Sequence, residues 1–154
     1  MNPDFDARVR LAVLEGFLGG RRPGVAEISS VLDAPATEVS ASFERLAAGR
    51  AFVLVPGTSE IHMAAPFSGV RTEFRVRVGD RSYHANCIWD ALGIPAMLAG
   101  AGRPADASIE TRCPDCAEAL TVDVRDDGIV ADPRDPVAHF AVPAARWWAD
   151  IVYT

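Results

Sequence analysis

The sequence predicts an α+β fold in which an N-terminal helical lobe packs on a mixed or antiparallel sheet. Through residues 5–48, apolar side chains recur every three or four positions, which is typical of helices that bury one face. From 72 to 78, apolar and charged side chains alternate, which indicates a half-buried strand. After residue 87, an apolar segment long enough for a helix contains Pro95, and we expect the proline to kink or interrupt that helix.

The N-terminal lobe is expected to contain three helices and a hairpin. Gly19-Gly20 ends the first helix, and Gly49 is the expected C-cap of the third. A Pro56-Gly57 turn joins the two strands of the hairpin. Because this order of elements is that of a winged helix, we predict a winged-helix-like lobe over residues 1–66. The predicted elements are helices at 5–18, 25–32 and 37–48, and strands at 52–55 and 61–63.

The second half of the chain, residues 67–154, is expected to form the sheet core around the motif helix. A tight turn at Gly79-Asp80 leads from the strand at 72–78 back toward that helix. Pro143 should begin a final helix that carries Trp147 and Trp148. Further strands are predicted at 107–111, 119–124 and 137–142.

The composition excludes several classes of protein. At 154 residues and 49% hydrophobic content, the chain can bury a core, but no apolar run reaches the roughly 20 residues that span a bilayer. The N-terminus lacks the basic and apolar regions of a signal peptide. Three cysteines, an odd number, fit reduced thiols better than a disulfide framework. We therefore expect a cytoplasmic protein with no membrane partner, and the net charge of −6 argues against a nucleic-acid partner.

The most informative motif is Cys87 followed by Asp90 at the predicted start of a helix. Positions i and i+3 share one face of a helix, so the thiol and the carboxylate can meet the same reacting group. The free N–H groups of a helix N-terminus favour thiolate over thiol. The pattern therefore predicts a soft-metal nucleophile beside a proton carrier, whereas the alternative is a small core cysteine in an apolar helix.

The motif and its surroundings resemble the alkylmercury lyases, which cleave carbon–mercury bonds. The similarity extends from about Arg22 to about Trp148, and the order and spacing of its pieces are more specific than any one of them. The matching pieces are Arg22-Pro23, Leu32-Asp33-Ala34-Pro35, Gly79-Asp80-Arg81-Ser82-Tyr83, Cys87, Asp90, Pro95, the strand around Cys113, and His139-Phe140-Ala141-Val142-Pro143 leading to Trp147.

The resemblance implies a role for individual residues. Cys87 matches the first catalytic cysteine of the family, Asp90 matches the catalytic aspartate, and Cys113 matches a cysteine that the family treats as structural. The second catalytic cysteine should lie shortly before His139, but residues 131–138 contain no sulfur. In the family, two thiolates weaken the bond from mercury to carbon, and the carboxyl group then protonates the departing carbon.

A second group of sulfurs is formed by Cys113 and Cys116, which flank a predicted turn. The pair resembles one knuckle of a zinc ribbon, and His84 with Cys87 could supply further ligands. A redox couple and two ordinary thiols are the alternatives. Because Cys113 or Cys116 could also serve as an accessory thiol for Cys87, we predict these three cysteines as candidate ligands of mercury, copper or zinc, with no cofactor required.

The sequence therefore leads to two main hypotheses for the function. One is an alkylmercury-lyase-like enzyme in which Cys87 binds the metal and Asp90 transfers the proton. The other is a non-catalytic protein of the same fold that binds a soft metal or a small organometallic or hydrophobic ligand. A third hypothesis, a winged-helix regulator that senses metals, is disfavoured because the third predicted helix offers Arg45 as its only cation.

Overall fold

Three helices precede all the strands of this protein. The computed structural model describes residues 3–126, 128–133, 135–140 and 142–151. Two glycines end the first helix as predicted, and Gly20 adopts a positive φ of 80° there. Val39 and Phe43, one turn apart, are fully buried on the third helix. The helices are α1 Pro3–Leu18, α2 Val25–Leu32 and α3 Ala36–Ala48.

Within the described residues, eight strands form one antiparallel sheet. Their order across the sheet is β1-β2-β3-β5-β4-β6-β7-β8, so β4 lies between β5 and β6. The α+β prediction is confirmed, and the sheet is antiparallel rather than mixed. The strands are β1 Val53–Leu54, β2 Ile61–Ala64, β3 Phe67–Ser68, β4 Phe74–Val78, β5 Arg81–Ala85, β6 Ala107–Arg112, β7 Ala119–Arg125 and β8 Gly128–Asp132.

The motif helix, α4 Ile88–Gly100, follows β5 and contacts β4 and β5. It is continuous through Pro95, which is buried, so the predicted interruption is absent. The last described element is a short 3₁₀ helix, Ala144–Ala149, at the place of the predicted final helix. No helix in the described ranges is long and apolar enough to cross a membrane.

One apolar core joins the helices to the sheet. The rings of Phe17 on α1 and Phe67 on β3 are stacked with centroids 5.4 Å apart, and Phe67 also contacts Tyr83 at 5.7 Å. The Tyr83 hydroxyl donates to the carbonyl of Leu18, at 3.2 Å. Because β2 and β3 pair through Met63 and Ser68, the sheet is continuous between the two halves of the chain. The boundary at 66/67 and the winged-helix interpretation of the first lobe stay predictions.

The strand predicted at 137–142 is wrong over its described residues, and a different strand, β8, occupies the edge of the sheet. Val137 is 88% exposed, so it has no sheet or core to pack against. Ala141, inside the predicted range, lies outside the described residues. β8 pairs with β7 through a hairpin at Arg125 and Gly128. The Asp127-Gly128 dipeptide, whose glycine is the first residue of β8, is a hairpin signal that could have identified this strand from the sequence.

Candidate functional site

Cys87 is the N-cap residue of α4, at the point where the chain leaves β5. Its backbone is extended, with φ −152° and ψ 180°, which allows the side chain to fold back over the first turn of the helix. The backbone N–H of Asp90 donates to the Cys87 Sγ at 3.5 Å. The thiol therefore takes the place that a Ser or Asp oxygen occupies at many helix starts.

Asp90 lies in the same first turn, and its carboxylate is held by Asn86. The Asn86 Nδ2 donates to the Asp90 Oδ2 at 2.8 Å and to the Phe67 carbonyl oxygen at 3.3 Å. The Oδ1 of Asn86 is buried without a hydrogen-bond partner. Asn86 did not emerge from the sequence as a site residue, and its only signal was a polar side chain directly before the motif.

The pKa of the Cys87 thiol is raised, whereas the sequence predicted that the helix start favours the thiolate. Burial raises its pKa, and the negative charge of Asp90 raises it further. The backbone N–H groups of Asp90 and Trp89 lower the pKa, but they do not outweigh burial. The helix N-terminus supplies hydrogen bonds to the sulfur as predicted. The sequence pattern could not predict the desolvation of the sulfur, because desolvation depends on tertiary packing. Cys87 is therefore a thiol, not a thiolate, before a ligand arrives.

Burial also raises the pKa of the Asp90 carboxyl, and the hydrogen bond from Asn86 offsets part of that effect. A carboxylate with a raised pKa is a stronger base than an exposed one. When protonated, it is still acidic enough to give the proton to a basic carbon. The thiol and the carboxyl are thus two titratable groups with raised pKa values in the first turn of one helix.

Cys87, Asp90 and Asn86 line one cavity of about 210 Å³. Its other walls come from distant parts of the chain and are mostly apolar. Trp147 is held in place by a 2.7 Å hydrogen bond from its Nε1 to the carbonyl oxygen of Val142. The other lining residues are Arg50, Ala51, Phe52, Val53, Met63, Ala65, Trp147, Trp148 and Ile151.

A cationic group borders this cavity as well. The guanidinium of Arg50 lies over the ring of Trp148, with its Cζ 5.6 Å from the ring centroid, which is cation–π geometry. The contact ties the loop after α3 to the C-terminal 3₁₀ helix. It therefore links two walls of the cavity that are almost 100 positions apart in the sequence.

Cys113 and Cys116 lie in the turn between β6 and β7, and the structure does not bring them to Cys87. Neither cysteine lines the cavity, and the described part of the chain holds no group of three or more His, Cys, Asp or Glu residues that could bind a metal ion. The predicted three-cysteine site is therefore not assembled. The physical reason is that β4 lies between β5 and β6, which separates those strands by two spacings, roughly 10 Å.

His84 also stays apart from the sulfurs. Its Nδ1 lies 3.1 Å from the carbonyl oxygen of Thr72 and 3.3 Å from the backbone nitrogen of the same residue. The Cys₃His zinc alternative considered from the sequence has no support in this arrangement.

Comparisons with known proteins address the family and the fold of this chain. The family model for alkylmercury lyase matches residues 67–154. Among solved structures, the crystal structure of the mercury-bound form of MerB2 superimposes with a TM-score of 0.68 at 20% identity, over 85% of this chain and 61% of that chain. This chain therefore spans less than two thirds of that protein, and the likeness at this identity shows a shared fold. A search of curated protein sequences finds no match. Since the family model covers more than half of the residues, this chain belongs to the alkylmercury lyase family.

Proposed function

We propose that this protein cleaves the carbon–mercury bond of small organomercurials by protonolysis. The observation that carries the proposal is the shared cavity of Cys87 and Asp90, where the backbone N–H of Asp90 contacts the sulfur. Mercury is soft and binds sulfur in preference to oxygen or nitrogen. The apolar and aromatic walls suit the alkyl or aryl group that the metal carries.

The proposed chemistry uses the thiol of Cys87 and the carboxyl group of Asp90. As the Cys87 sulfur bonds to mercury, its proton leaves and passes to the Asp90 carboxylate. Asp90 then delivers that proton to the carbon as the carbon–mercury bond breaks, which is general acid catalysis. The overall change is that the thiol and R–Hg–X become the Cys87 mercury thiolate, Cys–S–Hg–X, and the hydrocarbon R–H. No other proton or electron is needed.

A thiolate from solution is the natural second sulfur on the metal. Cys87 is the only cysteine among the described residues that line the cavity, so the ligand X must come from outside the chain. A free thiol in excess fills this role as X and removes mercury from Cys87 at the end of the cycle.

The same observation supports the second candidate function, a binding protein without turnover. Two thiolates place more electron density on mercury than one, so a single protein sulfur weakens the bond to carbon less. If the external thiol does not reach the bound metal, the protein retains the organomercurial intact.

We further propose that the N-terminal lobe serves as a wall of the cavity rather than as a DNA reader. Phe52, Val53 and Met63, from the hairpin region of that lobe, all line the cavity. On α3, the guanidinium of Arg45 is paired with Asp6 at 2.6 Å and is not free for a phosphate.

The test is hydrocarbon release from methylmercury or phenylmercury in the presence of excess free thiol. The wild-type protein should release the hydrocarbon over many turnovers, and Cys87→Ser should lose this activity. The matched control is Cys87→Ser combined with Ser30→Cys, since Ser30 is exposed on α2 and restores the number of thiols without restoring the one in the cavity. Stoichiometric uptake without hydrocarbon would support the binding protein, and equal release by the control variant would rule out the cavity as the site.

A further inference from the structure

The turn between β6 and β7 holds two thiols side by side. Cys113 is half-buried, Cys116 is exposed, and neither forms a disulfide. The turn is closed by hydrogen bonds from the Cys113 N–H to the Glu118 carbonyl and from the Ala117 N–H back to the Cys113 carbonyl, both at 2.9 Å. Ala117 has a positive φ of 59°, which turns the chain back toward β7. The backbone thus fixes the spacing of the two cysteines.

Hydrogen bonds also converge on the Cys113 sulfur. The backbone N–H groups of Cys116 and Asp115 and the thiol of Cys116 all donate to it, and they lower the pKa of Cys113. Because the Cys116 thiol is one of these donors, the two sulfurs lie within hydrogen-bonding distance of each other.

The number of ligands decides which metal fits. Structural zinc needs four ligands, and the described residues place no third His, Cys, Asp or Glu beside this pair. The soft ions Hg(II) and Cu(I) are stable with two thiolates alone. Such ions also prefer sulfur over the carboxylates of Asp115 and Glu118, the nearest acidic residues in the sequence.

We propose that Cys113 and Cys116 form a second, two-thiolate site that binds one soft two-coordinate metal ion outside the cavity of Cys87. Each thiol releases its proton to solvent as its metal–sulfur bond forms, so one divalent ion displaces two protons. The proposal does not depend on carbon–mercury cleavage at Cys87. It assigns metal binding to a cysteine, Cys113, for which the family resemblance implies only a structural role.

The chelate effect sets the size of the expected signal. Once one sulfur has bound the ion, the second is held nearby, and linking two binding groups in this way raises affinity by about 10²- to 10⁴-fold. A chain with either cysteine removed should lose that factor.

The experiment uses the full chain with Cys87→Ser, so that the cavity thiol does not contribute. The reduced protein is dialysed to equilibrium with Hg(II) and excess monothiol, and bound mercury is measured by elemental analysis. The Cys87→Ser chain, which is the parent of the other variants, should retain one Hg(II) per chain. Adding Cys113→Ser or Cys116→Ser should weaken retention about 10²- to 10⁴-fold. Zn(II), dialysed in parallel, should not be retained.

The matched control adds Ser30→Cys to the Cys87→Ser and Cys116→Ser chain. It has the parent's number of thiols but not the adjacent pair, so its retention should stay low. Circular dichroism checks that each variant is folded, which we expect because Cys116 is exposed. Retention by the control equal to that of the parent, or a preference for Zn(II) over Hg(II), would overturn the two-thiolate site.

Discussion

Replacing Asp90 by Asn separates metal binding from proton transfer at the proposed site. Asn has nearly the same shape as Asp, and its Oδ1 can still accept the hydrogen bond that Asn86 donates at 2.8 Å. Its backbone N–H can still donate to the Cys87 sulfur. The variant should therefore keep the cavity and the thiol but lose the group that carries the proton.

The expected loss is large because no other lining residue can replace the carboxyl. Asp90 is the only acidic residue that lines the cavity within the described residues, and Arg50 is its only cation. General acid–base catalysis by one positioned group typically contributes about 10²- to 10⁴-fold. Turnover in Asp90→Asn should fall by that factor, which corresponds to an activation barrier higher by about 3 to 5 kcal/mol.

Asp90→Asn should lower turnover without lowering the stability of the fold. The pKa of Asp90 is raised by burial, so the folded protein holds this proton more tightly than the unfolded chain does. Its contribution to stability is present at low pH and is lost as the pH rises through the folded pKa. At neutral pH the folded protein bears the cost of keeping an ionised carboxylate in a buried position, and Asp90→Asn removes this cost. The free energy of unfolding of the variant should therefore be equal to or higher than that of the wild type at neutral pH.

The assay combines hydrocarbon release with stoichiometric uptake of phenylmercury on the same preparation. Asp80→Asn is the matched control, because Asp80 lies in the exposed turn between β4 and β5. The control should turn over at the wild-type rate. Release by Asp90→Asn within threefold of the wild type, with normal uptake, would refute the assignment of Asp90 as proton carrier.

Two further substitutions probe the groups that support the site and the fold. Asn86→Leu removes the hydrogen-bond donor that lowers the pKa of Asp90. The acid limb of the pH–rate profile should therefore move to higher pH, and an unchanged acid limb would contradict the role of Asn86. Asp6→Asn should lower the free energy of unfolding at pH 7 by about 1 to 3 kcal/mol, since it weakens a two-point contact with Arg45 at 2.6 and 2.9 Å. Arg45 lowers the pKa of Asp6, so the deficit in chemical denaturation should shrink as the pH falls through that pKa, and a deficit that grows on acidification would contradict the ion pair.

Local spacing was enough to predict much of this protein. Helical periodicity located α1, α2 and α3, and alternation located β4, because both patterns follow from the geometry of a single element. The start of a helix at Cys87 could also be predicted from the sequence, and the backbone N–H of Asp90 contacts the sulfur there.

The properties that depend on distant residues were decided by the tertiary structure. The pKa of Cys87 is raised because the surrounding chain desolvates the sulfur, a cost that no local pattern records. The walls that Phe52 and Trp148 contribute come from residues almost 100 positions apart in the sequence. The order of strands placed β4 between the two groups of sulfurs, so Cys113 stays away from the cavity although the sequence permitted the contact. Spacing along the chain determined which groups are neighbours in one helix, whereas burial and strand order determined their acidity and their partners.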